Sequence, residues 1–314
     1  MTKSPVHSSP EKILVIKHGA LGDIIQAMDA FASLRAAHAD AHLAILTSRP
    51  FAKWLQASPY FDSVTIDDRA PFYDIRAWFR LRQLFRAGWT RIYDFQCSGR
   101  TSRYFRHFID ARKTEFIGRA KGASHLLPDF TGVNNRDRML ISAKLGGCTE
   151  REANLDWMGK TFHGLELPQR YAVLLPGCSP AKPSKRWPAA HYADLARQLQ
   201  DRGIAVVLAG THHDQQAIAA VLEQNPDCIS IMGKTDIDQI ASVFRHAAAI
   251  CGNDTGPVFL AARMQVPTVM VMGSDTEPSM SAPVGQSAGW VRHQQIKDVT
   301  AAEVMAKLST LGLS

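Results

Sequence analysis

"KILVIKHGALGDIIQAMDAFASLR" (residues 12–35) contains the unit from which the rest of the chain is built. An apolar run of strand length ends near His18, and two glycines three positions apart, Gly19 and Gly22, follow it. After Asp23 the apolar residues recur every three to four positions, which is the spacing of an amphipathic helix: Ile24, Ile25, Met28, Phe31 and Leu34. The segment therefore predicts a strand, a tight turn and a helix.

The same strand-then-helix unit recurs along the chain. Strand-length apolar runs in the first half are "HLAILTS" (42–48), "SVTIDD" (63–68), "RIYDFQC" (91–97) and "KTEFIG" (113–118). The series restarts with "YAVLLPG" (171–177), "IAVVLAGT" (204–211), "AAICGNDTG" (248–256) and "PTVMVMGS" (267–274), with helical patterns between them. Such alternation predicts an α/β fold with mostly parallel sheets.

The length of 314 residues suits two domains of about 150 residues each. We predict two facing Rossmann-like domains with a cleft between them, comprising residues 12–165 and 166–314. The junction falls where "HGLELPQR" (163–170) carries Gly and Pro and has no periodicity. Residues 1–11 are expected to be a disordered lead, and a helix at about 300–311 is expected to close the chain.

The composition is that of an ordinary globular protein, with 46% hydrophobic and 21% charged residues. No apolar run approaches the roughly 20 residues of a membrane span, and the N-terminus lacks a signal-like apolar segment. We therefore expect a cytoplasmic protein. The five cysteines are scattered without close pairs and the histidines lack ligand spacing, so neither a disulfide framework nor a bound metal is expected.

Positive charge is concentrated in the first half of the chain. Between Arg69 and Lys121 there are thirteen Lys or Arg residues against four Asp or Glu residues, while the net charge of the whole chain is +7. This excess indicates an anionic partner, although solvated helix faces are the alternative for any single arginine. No recognised nucleic-acid-binding motif accompanies it, so nucleic acid is not an expected partner.

The turn at the start of the chain has two possible explanations. A dinucleotide-binding fingerprint requires G-x-G-x-x-G, whereas this turn has only Gly19 and Gly22, and a carboxylate at Asp23 would repel a pyrophosphate. A nicotinamide-dependent dehydrogenase is therefore not expected. Asp23 is either a first-turn acid favoured by the helix dipole or a catalytic base at the carboxyl end of a strand.

Two later loops carry polar residues at strand ends. The loop "PGCSPAKPSKRWP" (176–188) brings hydroxyls and cations that suit a pyrophosphate, with a solvated basic loop as the alternative. In "CGNDTGPVFLAA" (251–262), Asp254 and Thr255 are either helix caps or contacts for a sugar and a phosphate.

These loops, in this order, resemble glycosyltransferase family 9, the lipopolysaccharide heptosyltransferases. The similarity is carried by the Leu-Gly-Asp near the start, the Lys-Arg-Trp-Pro loop and the Asn-Asp-Thr-Gly helix start, and it extends from about Lys12 to Gly273. The resemblance implies a GT-B fold and an inverting, metal-independent sugar transfer that needs no cofactor. The donor would be a nucleotide-sugar, typically ADP-heptose, and the acceptor an anionic inner-core saccharide on lipid A.

The resemblance also assigns roles to particular residues. It implies that Asp23 is the catalytic base, preceded by Gly22 in the substrate-binding set, and that Lys185 binds phosphate, with Ser179 in the same loop. Asp254, Thr255 and Gly256 would hold the donor sugar and its pyrophosphate. Asp214 would lie near the donor ribose, where the family more often has Glu. The nucleotide pocket would be lined by Gly233, Lys234 and Thr235.

One position departs from the family pattern. Family members commonly continue the last motif to a histidine that faces the donor, and here that position is Phe259. Phenylalanine neither donates a hydrogen bond nor carries charge, so three alternatives stay open. They are transfer of heptose, transfer of another sugar or to another acceptor by a related enzyme, and non-catalytic binding of a sugar nucleotide.

A basic, aromatic segment predicts a helix with a further role. In "RAWFRLRQLFR" (76–86), arginines alternate with large apolar side chains. An amphipathic basic helix of this kind suits peripheral contact with the cytoplasmic face of the inner membrane, and packing of its apolar stripe on the sheet is the alternative.

Overall fold

The computed structural model describes residues 11–71, 73–160, 164–179 and 181–314. The chain divides into two compact units. The first comprises the chain up to Ala20, Ala27–Thr131 and Arg136–Asn154, and the second comprises Leu21–Gln26, Gly132–Asn135 and Leu155–Ser314. Of the expected disordered lead, residues 1–10 lie outside the described residues.

The first unit contains a six-stranded parallel sheet. Its strands are β1 (Lys12–Ile16), β2 (His42–Thr47), β3 (Ser63–Ile66), β4 (Arg91–Asp94), β5 (Glu115–Gly118) and β6 (His125–Leu126). They lie in the order β3-β2-β1-β4-β5-β6, with Val15 of β1 opposite Ile45 on one side and Tyr93 on the other. This is the doubly wound order of a Rossmann fold.

The second unit repeats the same arrangement. Its strands are β7 (Tyr171–Leu175), β8 (Ala205–Leu208), β9 (Ile229–Ser230), β10 (Ala249–Asn253), β11 (Thr268–Met272) and β12 (Ala288–Arg292). Their order is β12-β11-β10-β7-β8-β9, and every pair is parallel. The chain therefore leaves the centre of this sheet in one direction after β7 and in the other after β10. The strands β7, β10 and β11 are buried along their whole length, as expected for a parallel sheet covered on both faces.

Helices connect the strands in both units. In chain order they are α1 (Leu21–Gln26), α2 (Met28–Ala37), α3 (Arg49–Gln56), α4 (Ile75–Phe85), α5 (Gly99–Phe108), α6 (Asn135–Leu145), α7 (Ala189–Gln200), α8 (Gln215–Leu222), α9 (Ile237–Arg245), α10 (Gly256–Ala262), α11 (Pro278–Ser281) and α12 (Ala301–Thr310). Several begin with reciprocal side-chain caps, which satisfy the free N–H groups of the first turn. At α12, for example, Thr300 caps Glu303 and its N–H group donates to the Glu303 carboxylate, which lowers the pKa of Glu303 to about 2.

Each unit has its own hydrophobic core. In the first, aromatic side chains of α4, α5 and β5 pack on β1 and β2, among them Phe85, Tyr104, Phe105, Phe108 and Phe116. In the second, α7 and α12 pack on one face of the sheet, with Tyr192, Leu195, Val206, Val304 and Leu308 at the centre. The predicted helix at 76–86 is observed as α4, and Ala77, Leu81 and Phe85 form its buried side.

Two elements near the C-terminus were not predicted from the sequence. The strand β12 has the sequence "AGWVR", in which Trp290 is exposed and Gly289 interrupts the apolar run. The short helix α11 has only four residues. Neither carries the periodicity on which a sequence-based prediction depends, because too few of their residues are buried.

Candidate functional site

The loops of interest in the second unit lie at the carboxyl edge of its sheet. Because β7 and β10 are neighbours and the chain leaves them in opposite directions, the loops that follow these strands diverge at a topological switch point. In doubly wound sheets ligands bind at this position. The loop after β7 carries Lys185, and the loop after β10 carries Asp254 and Thr255.

An ion pair joins these two loops. The ammonium group of Lys185, in a short 3-10 turn, donates a hydrogen bond to Oδ2 of Asp254. The side chains are only 13% and 9% exposed, respectively. The hydroxyl of Thr276 donates to the same oxygen at 2.8 Å. Two residues that the sequence analysis selected in separate motifs are therefore in direct contact, and Thr276 is an addition to them.

The buried side chain of Asn253 holds the Lys185 loop in place. Its Oδ1 accepts hydrogen bonds from the backbone N–H of Trp187 at 2.9 Å and from the hydroxyl of Tyr192 at 3.1 Å. Its Nδ2 donates to the carbonyls of Pro176 and Gly177, each at 3.0 Å. Since these partners flank Lys185 in the sequence, Asn253 fixes both ends of the loop. Its place in the Asn-Asp-Thr-Gly motif was a usable signal for this role.

The helix α10 begins directly after Asp254. Thr255 is its N-cap residue in extended conformation, and its hydroxyl makes no capping hydrogen bond. Pro257 follows in the first turn, where the missing N–H costs nothing. Thr255 and Gly256 are half-buried.

The helix α1 belongs to this second unit and packs on α10. A methyl group at Gly22 would come within 2.7 Å of the Phe259 ring and 3.3 Å of the Cα atom of Gly256, so only glycine fits there. Asp23 follows in the first turn of α1 and is half-buried. The amide of Asn135 donates a hydrogen bond to Oδ1 of Asp23 at 2.6 Å. Asp23 and Gly256, more than 200 positions apart in the sequence, thus occupy adjoining helices.

The residues expected around the nucleotide lie in the loops after β8 and β9. Asp214 accepts hydrogen bonds from the N–H and hydroxyl of Thr211, at 2.8 and 3.0 Å, and its carboxylate lies against Gly177 of the β7 loop. Gly233 has a φ of +69° and lies against the ring of His212, where a Cβ atom would approach to 2.6 Å.

The remaining predicted nucleotide contacts are more open to solvent. Lys234 and Ser179 are exposed, and Thr235 is half-buried. Ser179 lies in the loop that follows β7, and Lys234 and Thr235 lie in the loop that follows β9. His212 was not predicted as a contact, although it directly follows the predicted strand at 204–211.

A second group of buried polar side chains, in the first unit, was also missed. His18 and Asp67 follow the carboxyl ends of β1 and β3, and Asp94 is the last residue of β4. Nε2 of His18 lies 3.0 Å from Oδ2 of Asp67, and Tyr104 donates to the same carboxylate. Although burial opposes it, the adjacent His18 ring and the hydrogen bond from Tyr104 hold the pKa of Asp67 well below its ordinary value. Complete burial raises the pKa of Asp94 to about 6.

Within the described ranges, no group of three or more His, Cys, Asp or Glu side chains is arranged to hold a metal ion. The polar groups described in the second unit are two cations, three carboxylates and several hydroxyls: Lys185, Lys234, Asp23, Asp214, Asp254, Thr255 and Thr276. Cations and hydroxyls of this kind bind phosphate, and a half-buried carboxylate accepts a proton.

Comparison with known proteins identifies relatives of the chain. Residues 128–308, more than half of the sequence, match the family described as "Glycosyltransferase family 9 (heptosyltransferase)". Lipopolysaccharide heptosyltransferase 2 of Escherichia coli K12 is 34% identical over 151 residues. That match covers 41% of this chain and 43% of the relative, so the matched stretch spans less than half of that curated protein.

Two solved structures are similar over nearly the whole chain. The E. coli ADP-heptose LPS heptosyltransferase II has a TM-score of 0.76 at 23% identity, covering 96% of this chain and 98% of that one. A glycosyl transferase family 9 protein from Veillonella parvula has a TM-score of 0.82 at 18% identity, covering 96% and 97%. These likenesses confirm the predicted GT-B class of α/β fold, with two Rossmann-like domains.

Proposed function

Because the chain belongs to glycosyltransferase family 9, we propose that it is an inverting, metal-independent glycosyltransferase that moves heptose from ADP-heptose to a lipopolysaccharide inner-core acceptor. The observation that carries this proposal is the contact between Lys185 and Asp254 at the switch point, in the same unit as the helix that bears Asp23. The E. coli heptosyltransferase II, whose fold is similar, carries ADP-heptose in its name, and this supports the choice of donor.

Each residue of the proposed site has a role in the transfer. The acceptor hydroxyl must lose a proton as it attacks the anomeric carbon, and Asp23 takes it as general base. The leaving nucleoside diphosphate gains negative charge, which Lys185 and the backbone around Thr255 and Gly256 stabilise. Attack on the face opposite the leaving group inverts the anomeric centre.

The other predicted residues complete the donor site in this proposal. Asp254 accepts hydrogen bonds from the sugar hydroxyls, and Asp214 accepts them from the ribose. Ser179 lies beside the phosphates, while the nucleotide pocket is lined by Gly233, Lys234 and Thr235.

The proposed acceptor is an anionic, lipid-linked saccharide bound by the N-terminal domain, residues 12–165 in our division of the chain. The excess of arginine between Arg69 and Lys121 supports an anionic partner there. No helix in the described part of the chain is long and apolar enough to cross a bilayer. We propose a cytoplasmic enzyme with peripheral contact to the inner membrane.

A thermal-shift panel tests the donor assignment. Purified protein is heated with ADP, UDP, GDP, the matching nucleotide-sugars or NAD. A ligand at 100 times its dissociation constant adds about 2.7 kcal/mol to the free energy of unfolding. We expect ADP and ADP-heptose to raise the unfolding temperature and NAD to leave it unchanged.

The same panel separates the alternatives. If another nucleotide-sugar gives the largest shift, the donor assignment is wrong while the transferase class stands. If none of the nucleotides stabilises the protein, the transferase proposal is wrong. Binding of ADP-heptose without any turnover on inner-core acceptors would favour the non-catalytic relative.

The surface of α4 supports the proposed membrane contact. Its buried side packs in the core, yet Ile75 and Phe79 are 69% and 52% exposed, and Tyr73 just before the helix is 85% exposed. Arg76, Arg80 and the C-cap residue Arg86 are exposed on the same helix. Packing on the sheet and contact with a membrane are therefore compatible, because they involve different faces of the helix. A helix that exposes both apolar side chains and arginines suits an anionic lipid surface.

Charge reversal on α4 is expected to weaken binding to anionic vesicles. Basic residues near such a surface contribute about 1 kcal/mol each, so Arg80→Glu, Arg82→Glu and Arg86→Glu together should reduce the partition coefficient about 100-fold or more. Co-sedimentation with vesicles containing phosphatidylglycerol measures it. The matched control reverses the same charge on exposed residues of the second unit, Arg197, Arg202 and Lys297. Equal loss of binding in both variants would contradict a specific role for α4.

A further inference from the structure

The helix that carries Asp23 is too short to be stable by itself. It has six residues, Leu21–Gln26, whereas isolated helices below about 12–15 residues are marginal in water. Its position must therefore come from tertiary contacts. Those contacts decide where the carboxylate of Asp23 lies.

The first contact is with α10, whose backbone and Phe259 ring approach the backbone of α1 closely. A Cβ atom at Gly256 would come within 3.0 Å of the Cβ atom of Leu21 and 3.1 Å of the backbone nitrogen of Gly22. The ring of Phe259, only 7% exposed, closes the same contact from one turn further along α10. Phe259 is thus buried against the backbone of α1.

The second contact acts on the carboxylate itself. Asn135, at the first position of α6, donates its amide to Oδ1 of Asp23 at 2.6 Å. A hydrogen bond to one carboxylate oxygen restrains rotation about the Cβ–Cγ bond. The carboxamide of Asn135 takes up no proton at neutral pH and thus leaves the proton transfer to Asp23.

We propose that Asn135 and Phe259 are positioning residues for Asp23: Phe259 seats α1 on α10, and Asn135 orients the carboxylate. This inference rests on the proposed function, in which Asp23 is the base. It also gives the phenylalanine at position 259 a purpose of its own, because an apolar ring packs on the Gly22 backbone where a histidine would bring an imidazole to be solvated or paired.

A double-mutant cycle tests the role of Asn135. A misplacement of about 1 Å at a reacting group costs up to 10²-fold in rate, so Asn135→Ala should lower kcat about 10- to 100-fold and leave the KM for ADP-heptose unchanged. In an Asp23→Asn background the same change should have no further effect, since Asn135 acts through Asp23. Transfer to deacylated inner-core saccharide is measured. If the free-energy costs of Asn135→Ala and Asp23→Asn simply add in the double variant, the inference is wrong.

The neighbouring asparagine supplies the matched control. Asn134 donates to the carbonyl of Ala282 at 3.4 Å and is expected to tolerate alanine with kcat unchanged. If Asn134→Ala and Asn135→Ala lower kcat equally, the effect belongs to the loop and the proposed role of Asn135 is wrong.

Hydrogen exchange tests the packing of Phe259 against α1 independently of activity. In the full chain, Phe259→Ala should accelerate exchange in the peptide that covers Leu21–Gln26, while Phe259→Leu, which keeps an apolar side chain, should restore most of the protection. Unchanged exchange in Phe259→Ala would show that Phe259 does not hold α1 on α10. If the wild-type protein transfers no heptose at all, the proposed function is wrong and the catalytic part of this inference is wrong with it. Accelerated exchange in Phe259→Ala would still establish that Phe259 holds α1 on α10.

Discussion

Replacing Asp23 by asparagine is expected to lower the rate of sugar transfer by about 10²- to 10⁴-fold, the usual contribution of a general base. Asparagine has nearly the same shape and keeps an oxygen that accepts from Asn135, so α1 should stay packed on α10. The change removes the ability to take up the proton of the acceptor hydroxyl. Single-turnover transfer from ADP-heptose measures the chemical step.

Two further measurements make this result specific. The thermal shift with ADP should be unchanged in Asp23→Asn, because the nucleotide does not depend on the base. Asp29, which is also on an early helix but is bound to Arg136 and to the N–H of Ala153 within the first unit, provides a comparison for loss of a structural carboxylate. Asp29→Asn should lower the unfolding temperature, whereas Asp23→Asn should not. Wild-type kcat in Asp23→Asn would rule out the proposed mechanism.

Replacing Lys185 by alanine is expected to lower kcat by about 10²- to 10³-fold, a loss comparable to removing one preorganised charge-stabilising group. The ammonium group is the cation at the switch point, and without it the diphosphate would leave with less compensation of its charge. Steady-state transfer and the ADP thermal shift should both decline.

Stability must be separated from catalysis in this case. Lys185→Ala leaves the carboxylate of Asp254 without its cation at a site only 9% exposed, and breaking a buried pair in this way costs about 3–5 kcal/mol. The double variant Lys185→Met with Asp254→Asn removes both charges and should recover most of the unfolding temperature while transfer stays low. Recovery of transfer together with stability would show that Lys185 serves the fold alone.

The fold was predictable because apolar runs and their periodicity can be read from short stretches of sequence. The interior strands β7, β10 and β11 are buried along their whole length and largely apolar, so the sequence predicted them. The loops after them were predictable for the same reason, since the carboxyl ends of parallel strands share one edge. Lys185 and Asp254 could thus be assigned to one site from separate motifs.

What the sequence could not supply is the pairing of distant segments. Nothing in the letters around Gly22 points to Gly256 or Phe259, because a close helix crossing leaves no periodic signal of its own. Asn135 lies in a polar stretch whose amide has many possible partners. The departure at Phe259 was visible, but its apolar partner was not.

The division of the chain has a consequence for recombination between related genes. The chain passes from one unit to the other five times, at residues 20/21, 26/27, 131/132, 135/136 and 154/155. A single crossover near residue 155 would exchange most of the second unit yet leave Asp23 and Asn135 with the other parent. The hybrid would then have to fit an α1 from one ancestor to an α10 from another. We expect such a hybrid to fold only when both parents have glycine at 22 and 256 and a ring of the same size at 259.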